Sequence, residues 1–269
     1  MIADIVDLLA CPQCGTPMQL PTPGTVGCAT GHRFDIARQG HANLLTRPAP
    51  VNADTAAMVE ARLRHLARGH HDAVRELLVE RSGRTVLDAG CGPGWYLAAL
   101  PEDTGVVGLD LSVAAVRRAA RAHRHVGALV TDLRERLPLV DGAVDTVWSV
   151  FAPRPVSELV RVLAPGGSLL VVLPAPDHLV ELVETGIVIG QQPAKEDRLV
   201  SQFAGVLEPT DRQVTRTTIP ADPDVVADLV AMGPSAHHRP AGAPVRTDPM
   251  VGGLPDTVTV SLVLYEFRR

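Results

Sequence analysis

A glycine-rich turn that follows a short apolar run constrains the fold of this chain more than any other feature of its sequence. The run Val86-Leu87-Asp88 leads into Gly90, Gly92 and Gly94. Bare glycine backbone lets a ligand come close to the chain. A dinucleotide-binding fingerprint needs a third glycine where Trp95 stands, and a P-loop needs a Gly-Lys-Ser/Thr sequence that does not follow. The turn therefore predicts a strand-turn-helix unit that binds a different small ligand.

Strand and helix patterns alternate from this turn onward. The predicted strands are Thr85–Asp88, Gly105–Asp110, Gly127–Thr131, Ala143–Phe151 and Ser168–Pro174, and the predicted helices are Gly94–Leu100, Val113–Ala122 and Pro155–Leu163. This alternation predicts an α/β fold with a Rossmann-like parallel sheet wound with helices. The tail adds a helix over Asp222–Met232, a loop over Pro234–Pro255 and a closing strand over Thr257–Phe267.

Acidic residues stand at the ends of the first three predicted strands, at Asp88, Asp110 and Asp132. Asp88 suits a cationic group better than a pyrophosphate. Asp110 stands where an acidic side chain can hold ribose hydroxyls, and Asp132 could meet the edge of an adenine. An ammonium, a ribose and an adenine together describe S-adenosylmethionine (SAM). The pattern therefore predicts the sheet of a class I SAM-dependent methyltransferase.

Three of the four cysteines lie close together near the N-terminus. Cys11 and Cys14 form a C-x2-C pair, and Cys28 and His32 form a C-x3-H pair after thirteen intervening residues. Two such pairs can converge on one tetrahedral ion with no open position, which predicts structural Zn²⁺. The alternatives are a disulfide or free thiols. A disulfide would fit an exported protein, and the acidic start of the chain is not typical of a signal peptide.

The organisation of the chain suggests two domains. Residues 11–48 show no helical period and predict short turns and hairpins. The break at Pro48-Ala49-Pro50 predicts a boundary between a zinc-binding module over 1–48 and a methyltransferase domain over 49–269. Apolar residues at three-to-four spacing predict a helical lead-in over 54–82, divided at Gly69.

Several residues near the predicted site keep two interpretations. Trp95 and Tyr96 either line the pocket or pack the helix against the sheet. The pair His70-His71 is more typical of a solvated helix junction than of a site. His178 follows the fifth strand, at an edge whose loops carry function. Cys91 is interpreted as a packing residue, because methyl transfer from a sulfonium needs no covalent enzyme intermediate.

Charge and hydropathy exclude other classes. The chain has 269 residues and a formal net charge of −5, which argues against a wholly electrostatic nucleic-acid binder. No apolar run approaches the length of about 18 residues that a helix needs to span a bilayer. We therefore expect a cytoplasmic protein with no membrane partner.

Segments through nearly two thirds of the chain together resemble the RlmA/TlrB family of 23S rRNA guanine-N1 methyltransferases. They are Cys11-Pro12-Gln13-Cys14, Cys28 with Gly31–Ala37, Gly40–Leu45, Met58, Ala61-Arg62, Gly69-His70, Asp88–Gly94, Phe151-Ala152-Pro153 and Pro176–Leu179. The resemblance implies Zn²⁺ on Cys11, Cys14, Cys28 and His32. It implies SAM contacts from His71, from the turn Gly92–Leu97 with its Trp95, Tyr96 and Leu97, and from His178.

The resemblance implies SAM-dependent methylation of guanine N1 in a 23S rRNA hairpin, a TlrB-like contribution to macrolide resistance, and a homodimer. We expect the zinc module and the helix Arg62–Arg68 to hold the RNA, and the flipped guanine to lie near Ser149–Pro153 with Phe151 as a stacking partner. No catalytic base is assigned, since Asp145 lies at the start of the fourth strand. Two alternatives stay open: a small-metabolite methyltransferase, and a non-catalytic zinc-containing RNA-binding protein.

Overall fold

The N-terminal segment forms a small sheet of its own. The computed structural model describes residues 1–48, 53–190, 195–233 and 253–269. A short helix, α1 (Ile2–Ile5), precedes the antiparallel strands β1 (Met18–Thr22), β2 (Thr25–Cys28) and β3 (Arg33–Asp35). These hairpins confirm the prediction for residues 11–48.

The main sheet has eight strands within the described segments. They are β4 (Ala42–Asn43), β5 (Thr85–Ala89), β6 (Gly105–Asp110), β7 (Val126–Val130), β8 (Val144–Val150), β9 (Leu163–Pro174), β10 (Glu208–Pro220) and β11 (Thr257–Arg268). Their order is β10-β11-β9-β8-β5-β6-β7-β4. The strands from β9 to β4 pair in parallel, so the carboxyl ends of β5, β6 and β7 meet at one edge of the sheet.

The helices cover the faces of this sheet. They are α2 (Ala56–Leu66), α3 (Asp72–Glu80), α4 (Val113–Ala119), α5 (Val156–Val162), α6 (Val180–Glu184), α7 (Lys195–Phe203) and α8 (Pro223–Met232). The break between α2 and α3 falls at Gly69, as predicted. No helix within the described segments is long and apolar enough to cross a membrane.

Two features differ from the sequence predictions. The predicted helix Gly94–Leu100 is wrong: only a 3-10 turn, Leu97–Ala99, forms there, and Leu100, which precedes Pro101, is already extended with a ψ of 148°. The predicted parallel sheet forms from β9 to β4, and the predicted closing strand, β11, joins it antiparallel, with β10 beyond it. Strand β10 was not predicted, because its residues are almost all exposed and show no apolar alternation. Residues 49–52 and 234–252 lie outside the described segments, so the predicted break near Pro50 and most of the loop Pro234–Pro255 are not described.

One core joins the N-terminal sheet to the main sheet. Buried Cys11, Val26 and Cys28 belong to the same apolar cluster as Leu87 and Leu129 of the main sheet. The short strand β4 pairs with β7, at the end of the main sheet. The division of the chain at residue 48 stays a prediction.

Candidate cofactor and metal sites

Two tight turns bring four ligand atoms of the N-terminal sheet together. The turn after Cys11 is closed by the Gly15 amide, which donates to the Cys11 carbonyl. The second turn follows β2, where the Cys28 amide donates to the His32 carbonyl. The ligand atoms of Cys11, Cys14, Cys28 and His32 all lie within 4.8 Å of one another. The two turns thus bring the C-x2-C pair and the C-x3-H pair together in a single cluster of four ligand atoms.

The separations in this cluster fit a tetrahedral zinc ion. The Sγ atoms of Cys14 and Cys28 are 3.7 Å apart, and Nδ1 of His32 lies 3.4 Å from Sγ of Cys28 and 3.5 Å from Sγ of Cys11. Zn–S bonds of about 2.3 Å and Zn–N bonds of about 2.0 Å place tetrahedral ligands about 3.5–3.8 Å apart. All four cysteines lie within the described segments and are free thiols. The donor set therefore fits a closed structural site.

Two threonine hydroxyls surround the thiols. Oγ1 of Thr30 lies 3.1 Å from Sγ of Cys14 and 3.0 Å from Sγ of Cys28, and Oγ1 of Thr16 lies 3.1 Å from Sγ of Cys14. Hydrogen bonds from these hydroxyls lower the pKa of Cys14 to about 7 and that of Cys28 to about 5. Thiolates are the forms that bind metal. These threonines carry no spacing signal, and sequence analysis missed them.

A buried carboxylate without a partner stands at the carboxyl end of β5. Asp88 is fully buried, and neither of its oxygens has a hydrogen-bond partner among the described residues. Burial, and then the nearby Asp110, raise the pKa of Asp88 to about 8. An orphaned buried carboxylate is costly unless a ligand satisfies it. The ammonium of SAM is a group that would do so, and the residues present fit this cofactor.

The glycine turn is open at Gly92 but not at Gly90 and Gly94, where a Cβ would lie 2.4 Å from the Ala152 Cβ and 2.7 Å from the Ala122 Cβ. Gly90, Gly92 and Gly94 all have positive φ, at 96°, 52° and 81°. Among the described residues, a Cβ on Gly92 would have only the Arg62 guanidinium within 4 Å, at 3.7 Å. The amide of Gly92 donates to Oδ2 of Asp110 at 2.9 Å, and the Ser112 amide donates to Oδ1 at 2.8 Å. Asp110 is thereby fixed beside the turn, and burial raises its pKa.

His71 and Tyr96 meet beside the turn, although the sequence favoured a solvated junction for His71. His71 is 4% exposed, its Nδ1 lies 2.7 Å from the Tyr96 hydroxyl, and its Nε2 has no partner among the described residues. Burial lowers the pKa of His71 to about 3, so the imidazole is neutral at physiological pH. Tyr96 is buried as well.

Two more histidines stand close to His71. His178 accepts a hydrogen bond on Nδ1 from the Ser261 amide at 3.2 Å, which leaves its proton on Nε2. His65 is fully buried with both nitrogens unpartnered among the described residues, and its ring lies edge-on to His71 with 5.3 Å between centroids. Sequence analysis missed His65. Its position four residues after Ala61 and seven after Met58, on the apolar face of the helical pattern, is the signal that could have found it.

The other three predicted cofactor residues, Trp95, Leu97 and Asp132, differ in their surroundings. The half-buried Trp95 ring has the Arg75 guanidinium 3.9 Å from its centroid. Leu97 is fully buried in the core. The carboxylate of Asp132 is bound by the Arg134 guanidinium at 2.6 and 2.9 Å, which lowers its pKa.

Three arginines in and just after α2 form ion pairs within the protein. Arg64 and Arg68 both pair with buried Asp228 of α8, at 2.6 and 2.7 Å. Arg62 pairs with Asp54 and donates to the Met232 carbonyl at 3.0 Å. Each of these arginines already has an acidic partner within the protein, and the hypothesis that they hold RNA stays a prediction.

Phe151 has an unusual backbone at the carboxyl end of β8. Its φ is +56°, in the left-handed region that a bulky residue rarely adopts, and its side chain is 45% exposed. The ring lies edge-on to His71, with 6.0 Å between centroids. Strain of this kind clusters at functional sites.

Comparisons with known proteins agree with a zinc site in the N-terminal segment and a methyltransferase fold after it. A family model described as "RlmA, N-terminal", a zinc ribbon, matches residues 9–53, and a methyltransferase domain model matches residues 86–167. A 23S rRNA (guanine(748)-N(1))-methyltransferase of Streptomyces fradiae is 42% identical, with 89% of each chain covered. A putative 23S rRNA (guanine-N(1)-)-methyltransferase of Micromonospora griseorubida is 40% identical, covering 100% of this chain and 99% of its own.

The chain belongs to the 23S rRNA (guanine-N1)-methyltransferase family. It is a SAM-dependent methyltransferase with a zinc ribbon, as predicted from the sequence. The fold agrees: the YcgJ protein of Bacillus subtilis superposes with a TM-score of 0.53 over 74% of this chain and 99% of its own, at 18% identity.

Proposed function

We propose that this protein transfers a methyl group from SAM to N1 of a guanine in a hairpin loop of 23S rRNA. The strongest support is that one chain combines a complete Cys3His cluster with an orphaned buried carboxylate at a glycine turn. A chain that is 42% identical over 89% of its length is named for this reaction.

The residues proposed to hold the cofactor surround the glycine turn. Asp88 binds the ammonium group, and Asp110 accepts hydrogen bonds from the ribose. The open backbone at Gly92 allows close approach, and the tightly packed Gly90 and Gly94 shape the turn around it. The remaining proposed contacts come from His71, Trp95, Tyr96, Leu97, Asp132 and His178. Leu97 can contribute only its backbone, because its side chain is buried in the core.

The target base is proposed to stack on Phe151. SAM supplies an electrophilic methyl group at this edge of the sheet. Guanine must leave its stack to reach the site, and the half-exposed Phe151 ring offers it an apolar face. Holding N1 in line with the methyl group supplies much of the acceleration. The group that accepts the N1 proton stays unassigned.

The zinc module is proposed to recognise the RNA hairpin as a rigid extension of the main sheet. The shared core and the pairing of β4 with β7 support this, because they fix the module relative to the cofactor site. We further propose a module over residues 1–48 joined to a methyltransferase domain over 49–269, a cytoplasmic homodimer, and a TlrB-like contribution to macrolide resistance.

The decisive experiment incubates the protein with labelled SAM and 23S rRNA that lacks guanine-N1 methylation. We expect label in one hairpin and a primer-extension stop at one guanine, because an N1-methyl group blocks Watson–Crick pairing. Asp110→Asn is the inactive control. Absence of label in the RNA, at saturating SAM and with zinc bound, would contradict the proposal.

A further inference from the structure

We propose that Arg62 of α2 holds the carboxylate of the cofactor's methionine moiety, an inference that rests on the cofactor site proposed above. The methionine end of SAM carries an ammonium and a carboxylate on one carbon. A site for it needs a negative and a positive protein group a few ångströms apart. Asp88 meets the first need, and no residue has yet been assigned to the second.

The position of Arg62 meets the second need. Its Nη1 lies 3.7 Å from the point that a Cβ on Gly92 would occupy, and apart from the chain neighbours of Gly92 no other side chain in the described segments stands within 4 Å of that point. The guanidinium therefore borders the open side of the glycine turn. Its side chain is 28% exposed, so it remains accessible to a ligand.

Arg62 and Asp88 act in opposite directions on the pKa of one buried group, Tyr96. Burial raises the pKa of Tyr96, Asp88 raises it further, and Arg62 opposes both effects. Tyr96 thus lies within reach of the proposed ammonium and carboxylate partners. Arg75 also acts on Tyr96, but its guanidinium covers the Trp95 ring and pairs with Asp72.

The existing contacts of Arg62 orient it without using all its donors. One nitrogen pairs with Asp54, and the other terminal nitrogen donates to the Met232 carbonyl. A guanidinium has five N–H donors, and its planar fork matches a carboxylate. Little side-chain entropy is lost on binding, because these contacts already fix the fork.

The test is a double-mutant thermodynamic cycle in which one change removes the Arg62 guanidinium and the other removes the ligand carboxylate. No RNA is present. Calorimetry compares S-adenosylhomocysteine with its decarboxylated analogue on the native protein and on Arg62→Met. We expect the native protein to lose about 10- to 100-fold in affinity when the ligand carboxylate is removed, and Arg62→Met to lose less than about threefold. Arg118→Met, whose exposed guanidinium pairs with Glu60 on the surface, should behave as native.

An equal loss in the native protein and in Arg62→Met would overturn the proposal, because general damage to the pocket weakens both ligands alike. A native protein with no carboxylate preference would also overturn it. If Arg62→Met does not fold, phenylglyoxal modification of the native protein replaces it: S-adenosylhomocysteine should protect Arg62 and the analogue should not. Equal protection by the two ligands contradicts the proposal. Since no RNA is present, these outcomes are independent of the rRNA methylation assay.

Discussion

The hydroxyl of Tyr96 lies 2.7 Å from Nδ1 of His71 and links the glycine turn to the start of α3. Both residues are buried. The hydrogen bond fixes the imidazole ring, and therefore the direction of its unpartnered Nε2.

Tyr96→Phe should weaken both the fold and the cofactor site. Loss of the hydroxyl leaves Nδ1 of His71 buried without a partner, which costs about 1–3 kcal/mol. We expect a lower free energy of unfolding in urea and weaker binding of S-adenosylhomocysteine. Tyr265→Phe, at the other tyrosine, removes hydrogen bonds to Glu196 and Arg212 and should leave cofactor binding unchanged. Equal effects on binding would contradict this assignment.

Asp88→Asn should change how stability depends on pH in the cofactor-free protein. The pKa of Asp88 is raised from 3.8 to about 8, so between these values the folded state holds a proton that the unfolded state does not. Stability therefore falls as the pH rises. From pH 6 to pH 8 the native protein should lose about 2 kcal/mol more than Asp88→Asn. Denaturant unfolding at both pH values measures this, and parallel losses would disprove it.

His65→Leu should reduce the sensitivity of the fold to acid. Burial, followed by the charges of His70, Arg68 and His178, lowers the pKa of His65 from 6.5 to about 4. As the pH falls below 6.5, the unfolded state takes up a proton that the folded state refuses, so stability is lost. Between pH 7 and pH 5 the native protein should lose about 2 kcal/mol more than the variant. A steeper pH dependence in the variant is the opposite of this expectation.

Cys14→Ser should remove the zinc ion and destabilise more than the N-terminal sheet. Zinc binding in small zinc peptides is worth about 10–16 kcal/mol in apparent folding energy, and Cys11 and Cys28 also lie in the common core. We expect loss of bound zinc by atomic absorption and a reduced free energy of unfolding of the whole chain. Cys91→Ala, at a buried thiol outside the cluster, should keep its zinc. A zinc-free variant with native stability would show that the metal is dispensable.

Replacing Phe151 should lower RNA methylation, and the two replacements should differ in stability. Phe151→Ala removes the proposed stacking face and should lower kcat/KM for RNA about 5- to 100-fold, while binding of S-adenosylhomocysteine changes by less than about twofold. Phe151→Gly should be as inactive but about 1 kcal/mol more stable than Phe151→Ala, because glycine tolerates the positive φ. Retained RNA methylation in both variants would remove Phe151 from base recognition.

The parts of the site that sequence analysis predicted are formed by residues that are close to one another in the chain. Cys11 and Cys14 share one turn and Cys28 and His32 share another, so spacing alone could assign the metal. The strand-turn unit at Asp88 and the acidic end of β6 were also readable, because parallel strands end at one edge of the sheet. The prediction of a helix after Gly94 was wrong for a local reason as well, because Leu100 precedes Pro101 and is extended.

The amino-acid sequence by itself determined the zinc ligands, the glycine turn, the positions of most strands along the chain and the family. Each of these depends on short segments whose residues are close together in the chain. Only the tertiary structure decided that His65 is buried against His71, that Arg62 borders Gly92, that Phe151 is held in a strained conformation, and that β4 joins the main sheet. Most of these relationships connect residues that are distant in sequence. They depend on how buried surfaces pack and on which polar groups are left without partners. Periodicity could indicate that His65 is buried, but not which side chain it packs against.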